Sequence, residues 1–183
     1  MNEELLLLRD IAQRLDKAGL SYMMTGSMAL AFYSTPRMTR DIDIILHATR
    51  GDVGKIVALF LDDFYIEEAS VRQAISTHGM FNVIHNESVL KVDFIIRKEE
   101  EYRIEEFLRR RKIDIEGSPV SIVSPEDLIL SKLIWAKTSP SELQLRDVRQ
   151  LLLHSVEIDN EYLTNWSKKL GVEDLLINAK NHA

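Results

Sequence analysis

The stretch Asp41-Ile42-Asp43-Ile44-Ile45-Leu46 alternates carboxylates with isoleucine, and it restricts folding more tightly than any other segment of the chain. A period of two belongs to a strand, where successive side chains leave opposite faces. Ile42 and Ile44 therefore enter a core, and Asp41 and Asp43 project together from the other face. Two like charges so placed repel, and a hard divalent cation with oxygen ligands relieves that repulsion better than a single lysine does.

A second strand strengthens the pattern. Leu90, Val92, Phe94 and Ile96 form one apolar face and leave Asp93 on the other, beside Lys91 and Ile95. An ionised carboxylate inside an apolar run needs a partner; a salt bridge to Lys91 or a shared metal would each supply one. Gly26-Ser27 lies between a short strand, Leu20 to Met24, and an apolar helix, Met28 to Tyr33. Glycine permits close backbone approach, and a helix N-terminus presents free amides to a phosphate. Alone, Gly-Ser is only a capped helix. Asp-x-Asp alone also occurs at exposed strand ends and in metal-dependent glycosyltransferases.

Elsewhere the chain reads as an α+β fold. Leu5, Leu8, Ile11, Ala12 and Leu15 predict an opening amphipathic helix stopped at Gly19. Pro36 ends the helix after Ser27, and Asp52 can cap a helix bearing Val53, Ile56, Val57, Leu59 and Phe60. A short helix follows over Ser70 to Thr77. Met80 to Ile84 and Val89 to Ile96 read as an antiparallel pair turned at Asn86 and Glu87. A charged helix is expected from Arg97 to about Lys112, then two short strands around Gly117 to Pro119. Ser124, with Pro125 at the first position and Asp127 reaching back, starts a helical region that continues through Glu142 to His154 and Asn160 to Leu170. The expected division is an α/β core over 1–123 and a C-terminal helical subdomain over 124–183.

The ordered set Gly26-Ser27, thirteen residues, Asp41-Ile42-Asp43-Ile44, then Asp93 in a later strand resembles the signature of the DNA polymerase beta-like nucleotidyltransferase superfamily. Gly26-Ser27-Met28-Ala29-Leu30 with Arg37-x-Thr39-x-Asp41-Ile42-Asp43 looks like its AbiEii-type branch, which includes toxins of toxin–antitoxin systems. Ser124-Pro125-Glu126-Asp127-Leu128, Lys132-Leu133 and Arg146-Asp147 are similar to later motifs of that branch. Thr25 and Ser27 depart from it, standing where an apolar residue and a second glycine are usual.

The resemblance implies a mixed sheet flanked by helices and followed by a helical bundle. It implies transfer of a nucleoside monophosphate from a nucleoside triphosphate to RNA, tRNA, a protein or a small molecule, and a cognate antitoxin if the chain is a toxin. Two magnesium ions, or manganese, would be held by Asp41, Asp43 and Asp93, with Asp93 also receiving the acceptor's proton. Gly26 and Ser27 would hold the β- and γ-phosphates, and Arg37, Arg40 and Lys132 would neutralise the triphosphate. Lys132 emerges from an apolar helical face near Leu128, Ile129, Trp135 and Ala136. Asp147 is a further candidate for nucleotide binding, or else a surface partner of Arg146. A catalytically silent nucleotide- or partner-binding module with the same fold is the alternative.

Composition narrows the rest. Within 183 residues there is no cysteine, which removes thiolate chemistry, and the five histidines show no metal-ligand spacing. A net charge of -6 argues against nonspecific nucleic-acid coating and favours a small or locally gripped substrate. No apolar run approaches the ~20 residues that cross a bilayer, so a cytoplasmic protein without membrane partners is expected.

Overall fold

The computed structural model describes residues 3–34, 41–139, 141–155 and 157–183. The chain divides into two compact units, Met1–Met28 with Met38–Ile122, and Ala29–Arg37 with Val123–Ala183.

In the first unit α1 (Glu3–Lys17) buries Leu7, Leu8, Ile11, Ala12 and Leu15, close to the stripe that the spacing predicts. It is followed by β1 (Tyr22–Thr25), α2 (Gly26–Tyr33, whose later residues belong to the second unit), β2 (Asp41–Leu46), α3 (Val53–Phe60) and β3 (Phe64–Tyr65). Then come α4 (Glu68–Thr77), β4 (Met80–His85), β5 (Lys91–Ile96), α5 (Glu101–Leu108), β6 (Arg111–Ile115) and β7 (Ser118–Ile122). The strands form one seven-stranded mixed sheet in the order β3-β4-β5-β2-β1-β7-β6. β2 and β5 run parallel, as do β1 and β7; the other neighbours are antiparallel.

The alternation in β2 and β5 fixes their register. Ile42, Ile44 and Leu46 are buried alongside Val92, Phe94 and Ile96 of β5. Phe94 stacks on Phe81 of β4 at 5.0 Å between centroids and meets Phe60 of α3 at 5.4 Å. Each such side chain contributes about 1.5–3 kcal/mol on burial. A one-residue slip would expose this whole row and drive the carboxylates into the core, so the packing holds them on the opposite face.

Two local expectations change. The charged helix stops at Leu108, and Arg111 and Lys112 open β6 against β7. Asp52 precedes α3 without capping it through its side chain. Its carboxylate accepts from the Thr49 amide at 2.9 Å and the Thr49 hydroxyl at 2.7 Å, which holds it below the usual carboxylate range, the amide contributing most. The turn between β4 and β5 follows the expected Asn86 and Glu87, but its left-handed residue is Val89, at φ 58°.

The second unit contains α6 (Pro125–Thr138), α7 (Glu142–His154), α8 (Asn160–Leu170) and α9 (Glu173–Asn181). The start of α6 follows its sequence signature. Ser124 Oγ accepts from the Asp127 amide at 3.1 Å and donates to Asp127 Oδ2 at 2.6 Å. The same carboxylate accepts the Tyr162 hydroxyl of α8 at 2.7 Å through Oδ1. From Pro125 to Leu133 every residue of α6 is buried, and α7, α8 and α9 all contact it. Among the described residues no helix is long and apolar enough to cross a membrane.

Candidate active site

The sheet register assembles the acids. Asp43 of β2 is the direct cross-strand partner of Asp93 of β5, and Asp41 is the partner of Lys91. Thr25 of β1 lies opposite Asp43 on its other side, and Asn82 of β4 opposite Asp93. A polar row, Thr25–Asp43–Asp93–Asn82, thus crosses four adjacent strands, with neighbours about 4.8 Å apart along the hydrogen-bonding direction. Asp41 and Lys91 stand in the next same-face position along β2 and β5.

The members differ in exposure. Asp41 is exposed, Asp43 half-buried, and Asp93 only 7% exposed. Lys91 Nζ lies 2.9 Å from Asp93 Oδ2 and 4.0 Å from Asp41 Oδ1. The Asp93 hydrogen bond, aided by the charges of Asp93, Asp41 and Asp43 and opposed by burial, holds this ammonium above its ordinary pKa. Asp93 Oδ1 is buried and has no hydrogen-bond partner among the described residues. A buried carboxylate oxygen left in that state is costly, and a ligand bearing positive charge relieves the cost.

Gly26 closes the other side of Asp43. Its φ is 67°, and a Cβ placed on it would stand 2.0 Å from Asp43 Oδ2. The absent side chain lets the carboxylate sit against the backbone at the start of α2, where the helix dipole favours negative charge. Ser27 follows, half-buried in the first turn.

A hard cation suits this donor set in type, with three carboxylates on one sheet face and one buried oxygen unsatisfied among the described residues. The side chains are not closed around a common point. Asp43 Oδ2 rests on Gly26 and Asp93 Oδ2 is engaged by Lys91. Among the described residues no group of three or more His, Cys, Asp or Glu side chains is gathered to hold a metal ion.

The other predicted site residues lie apart from this description. Arg37 and Arg40 fall outside the described residues, as does Pro36. Lys132 and Asp147 belong to the second unit and are brought to each other: Lys132 Nζ is 2.7 Å from Asp147 Oδ2 and 3.2 Å from Gln144 Oε1. Both are buried, so Asp147 is a negative group that the apolar-face lysine reaches, and Asp147 is no surface residue. Thr25 and Asn82 escaped sequence reasoning as members of the polar row; only the strand register reveals them.

The chain matches the model of the family described as "Nucleotidyl transferase of unknown function (DUF2204)" over residues 4–175. Among solved structures it is similar to an antigenic nucleotidyltransferase-like protein from Paracoccidioides brasiliensis, at TM-score 0.67 and 20% identity, covering 95% of this chain and 85% of that one. The antibiotic-resistance factor ANT(2'')-Ia matches at TM-score 0.57 and 15% identity, covering 98% of this chain and 92% of that one. The lincosamide antibiotic adenylyltransferase LnuA in its lincomycin-bound form matches at TM-score 0.55 and 13% identity, covering 83% of this chain and 97% of that one. Among curated proteins none matches the chain in sequence. At these identities the likeness to solved structures speaks to the fold alone.

Proposed function

The chain belongs to this family of nucleotidyl transferases, and on that premise we propose that it is a cytoplasmic, magnesium-dependent enzyme moving a nucleoside monophosphate from a nucleoside triphosphate to an acceptor hydroxyl. The observation that carries the proposal is the pairing of Asp43 with Asp93, whose second oxygen is buried and has no hydrogen-bond partner among the described residues.

Asp41, Asp43 and Asp93 would hold the magnesium, or manganese in its place, which supplies charge neutralisation at the triphosphate and lowers the acceptor's pKa. Asp93 takes the proton as the acceptor oxygen bonds to the α-phosphorus; the bond from that phosphorus to the bridging oxygen breaks, and pyrophosphate leaves. Gly26, Ser27 and the first amides of α2 hold the β- and γ-phosphates. Arg37, Arg40 and Lys132 are the proposed cations for the triphosphate, with Asp147 orienting Lys132.

The acceptor is an RNA or tRNA end, a protein side chain or a small molecule. The antibiotic adenylyltransferase and ANT(2'')-Ia share the fold, so small hydroxyl-bearing molecules are one class to include. An RNA, tRNA or protein acceptor fits the AbiEii-type resemblance and the role of a toxin held by a cognate antitoxin. One observation favours a second reading, a catalytically silent nucleotide- or partner-binding module: the carboxylates are not gathered around one point.

The test incubates the protein with all four triphosphates, magnesium and pools of RNA, protein and aminoglycoside or lincosamide acceptors, followed by mass spectrometry. A nucleotide-sized mass on one acceptor, absent with Asp41→Ala/Asp43→Ala, is expected. Nucleotide binding with no transfer to any pool favours the silent module.

A further inference from the structure

An ammonium stands among the carboxylates of this sheet face. Lys91 Nζ is hydrogen-bonded to Asp93 Oδ2 at 2.9 Å and stands 4.0 Å from Asp41 Oδ1. Asp93 is almost fully enclosed, its side chain 10% exposed, whereas the Lys91 side chain is 41% exposed. The acid is therefore held in place, and the lysine, on a flexible four-carbon stem, can swing toward solvent.

Resting on the proposed function above, we infer that Lys91 is the resident counter-ion of this cluster: its ammonium holds Asp93 and Asp41 until a divalent cation displaces it, so that cation binding here is an exchange.

Two features support this. Asp43 and Asp93 stand side by side, with Asp41 two residues along the strand, and the Lys91 ammonium on Asp93 offsets part of the repulsion among them. Its grip on Asp93 also accounts for carboxylates that share a face without converging: Asp93 Oδ2 is turned to the lysine, and Oδ1 has no hydrogen-bond partner among the described residues. An incoming cation must displace the ammonium before Asp93 Oδ2 can ligate it. Lys91 is in this sense a positioning residue that sets the cation affinity of the site.

The experiment titrates the protein with Mn2+ alone, without nucleotide, and reads free Mn2+ by electron paramagnetic resonance. Wild type, Lys91→Met, Lys91→Arg and Asp43→Asn are compared, with melting temperatures taken with and without the ion. Removing a competing positive charge a few ångströms from the ligands is expected to tighten Mn2+ binding by about tenfold in Lys91→Met. Lys91→Arg, whose fork holds carboxylates bidentately, should weaken it. The Lys91→Met protein should melt below wild type in the absence of the ion and recover when Mn2+ is saturating. If Lys91→Met is too unstable to titrate, Lys91→Arg alone decides. Equal or weaker binding by Lys91→Met, or unchanged binding by Lys91→Arg, overturns the exchange. In that case loss of binding in Asp43→Asn leaves the proposed site standing, whereas absence of Mn2+ binding in every protein, wild type included, removes both.

Discussion

Gly26 and Asp43 are packed so closely that a methyl group on the glycine would lie 2.0 Å from Asp43 Oδ2, with the glycine backbone at φ 67°. Two independent constraints therefore fall on one residue, a left-handed conformation and a carboxylate in the space where a side chain would be. Gly26→Ala should move Asp43 and cost more than ~1 kcal/mol of stability, because alanine is strained at positive φ. Nucleotide transfer should fall further than that loss of folded protein accounts for. Melting curves alongside transfer rates at a temperature where both proteins are folded check it; a destabilised variant with wild-type turnover would remove Gly26 from the site.

Arg14 of α1 binds the Leu59 carbonyl at 2.8 Å and Asp63 through both carboxylate oxygens, tying α1 to the end of α3. Its hydrogen bond is the main reason that the Asp63 carboxyl is held below the usual range, against the opposing effect of burial. A carboxylate lowered in the folded state contributes stability above its unfolded value of about 4, and that contribution is lost as pH falls through the folded value. Arg14→Met should thus flatten the acid limb of a plot of melting temperature against pH below about 4, with a small offset above it. The alkaline limb has the opposite sign. Burial pushes Tyr22 up to about 12, so its contribution is complete below about 10 and is lost as pH rises toward the folded value, which Tyr22→Phe should abolish.

The buried pair of Lys132 and Asp147 separates packing from chemistry. Lys132→Met takes a cationic partner from a buried carboxylate and should cost up to about 3–5 kcal/mol, whereas Lys132→Met/Asp147→Leu should regain most of that. If Lys132 also grips the triphosphate, the refolded double variant should show a KM for nucleotide raised by about tenfold or more. Wild-type kinetics in a stable double variant would assign the pair to packing alone.

Much of this arrangement is legible in the sequence where one rule dominates. The alternation of β2 and β5 fixes which face each aspartate takes, and Ser124-Pro125 fixes the start of α6, because burial and capping act locally. β6 is hidden for a physical reason. At the sheet edge it carries exposed Arg111 and Lys112, charges that protect an edge strand but that read by composition as the end of a charged helix. β3 has two residues, too few to show a period. The row from Thr25 to Asn82 depends on pairing between strands distant in sequence, and the partnership of Lys132 with Asp147 depends on how α6 meets α7; neither register nor helix packing is written in local pattern. Asp93 shows the boundary most clearly. Its place in an apolar run marks it as needing a partner, while which partner it takes depends on the fold, which puts Lys91 on one oxygen and, among the described residues, nothing on the other.

The central claim is that Asp43 and Asp93, joined by Asp41, share a divalent cation. Crystals soaked in Mn2+ and measured at the manganese absorption edge test it without any assumption about substrate. A strong anomalous peak within about 2–2.6 Å of carboxylate oxygens of both Asp43 and Asp93, with Lys91 turned away, is the predicted result. A map with manganese bound elsewhere, or none at all while Lys91 still holds Asp93, would contradict it.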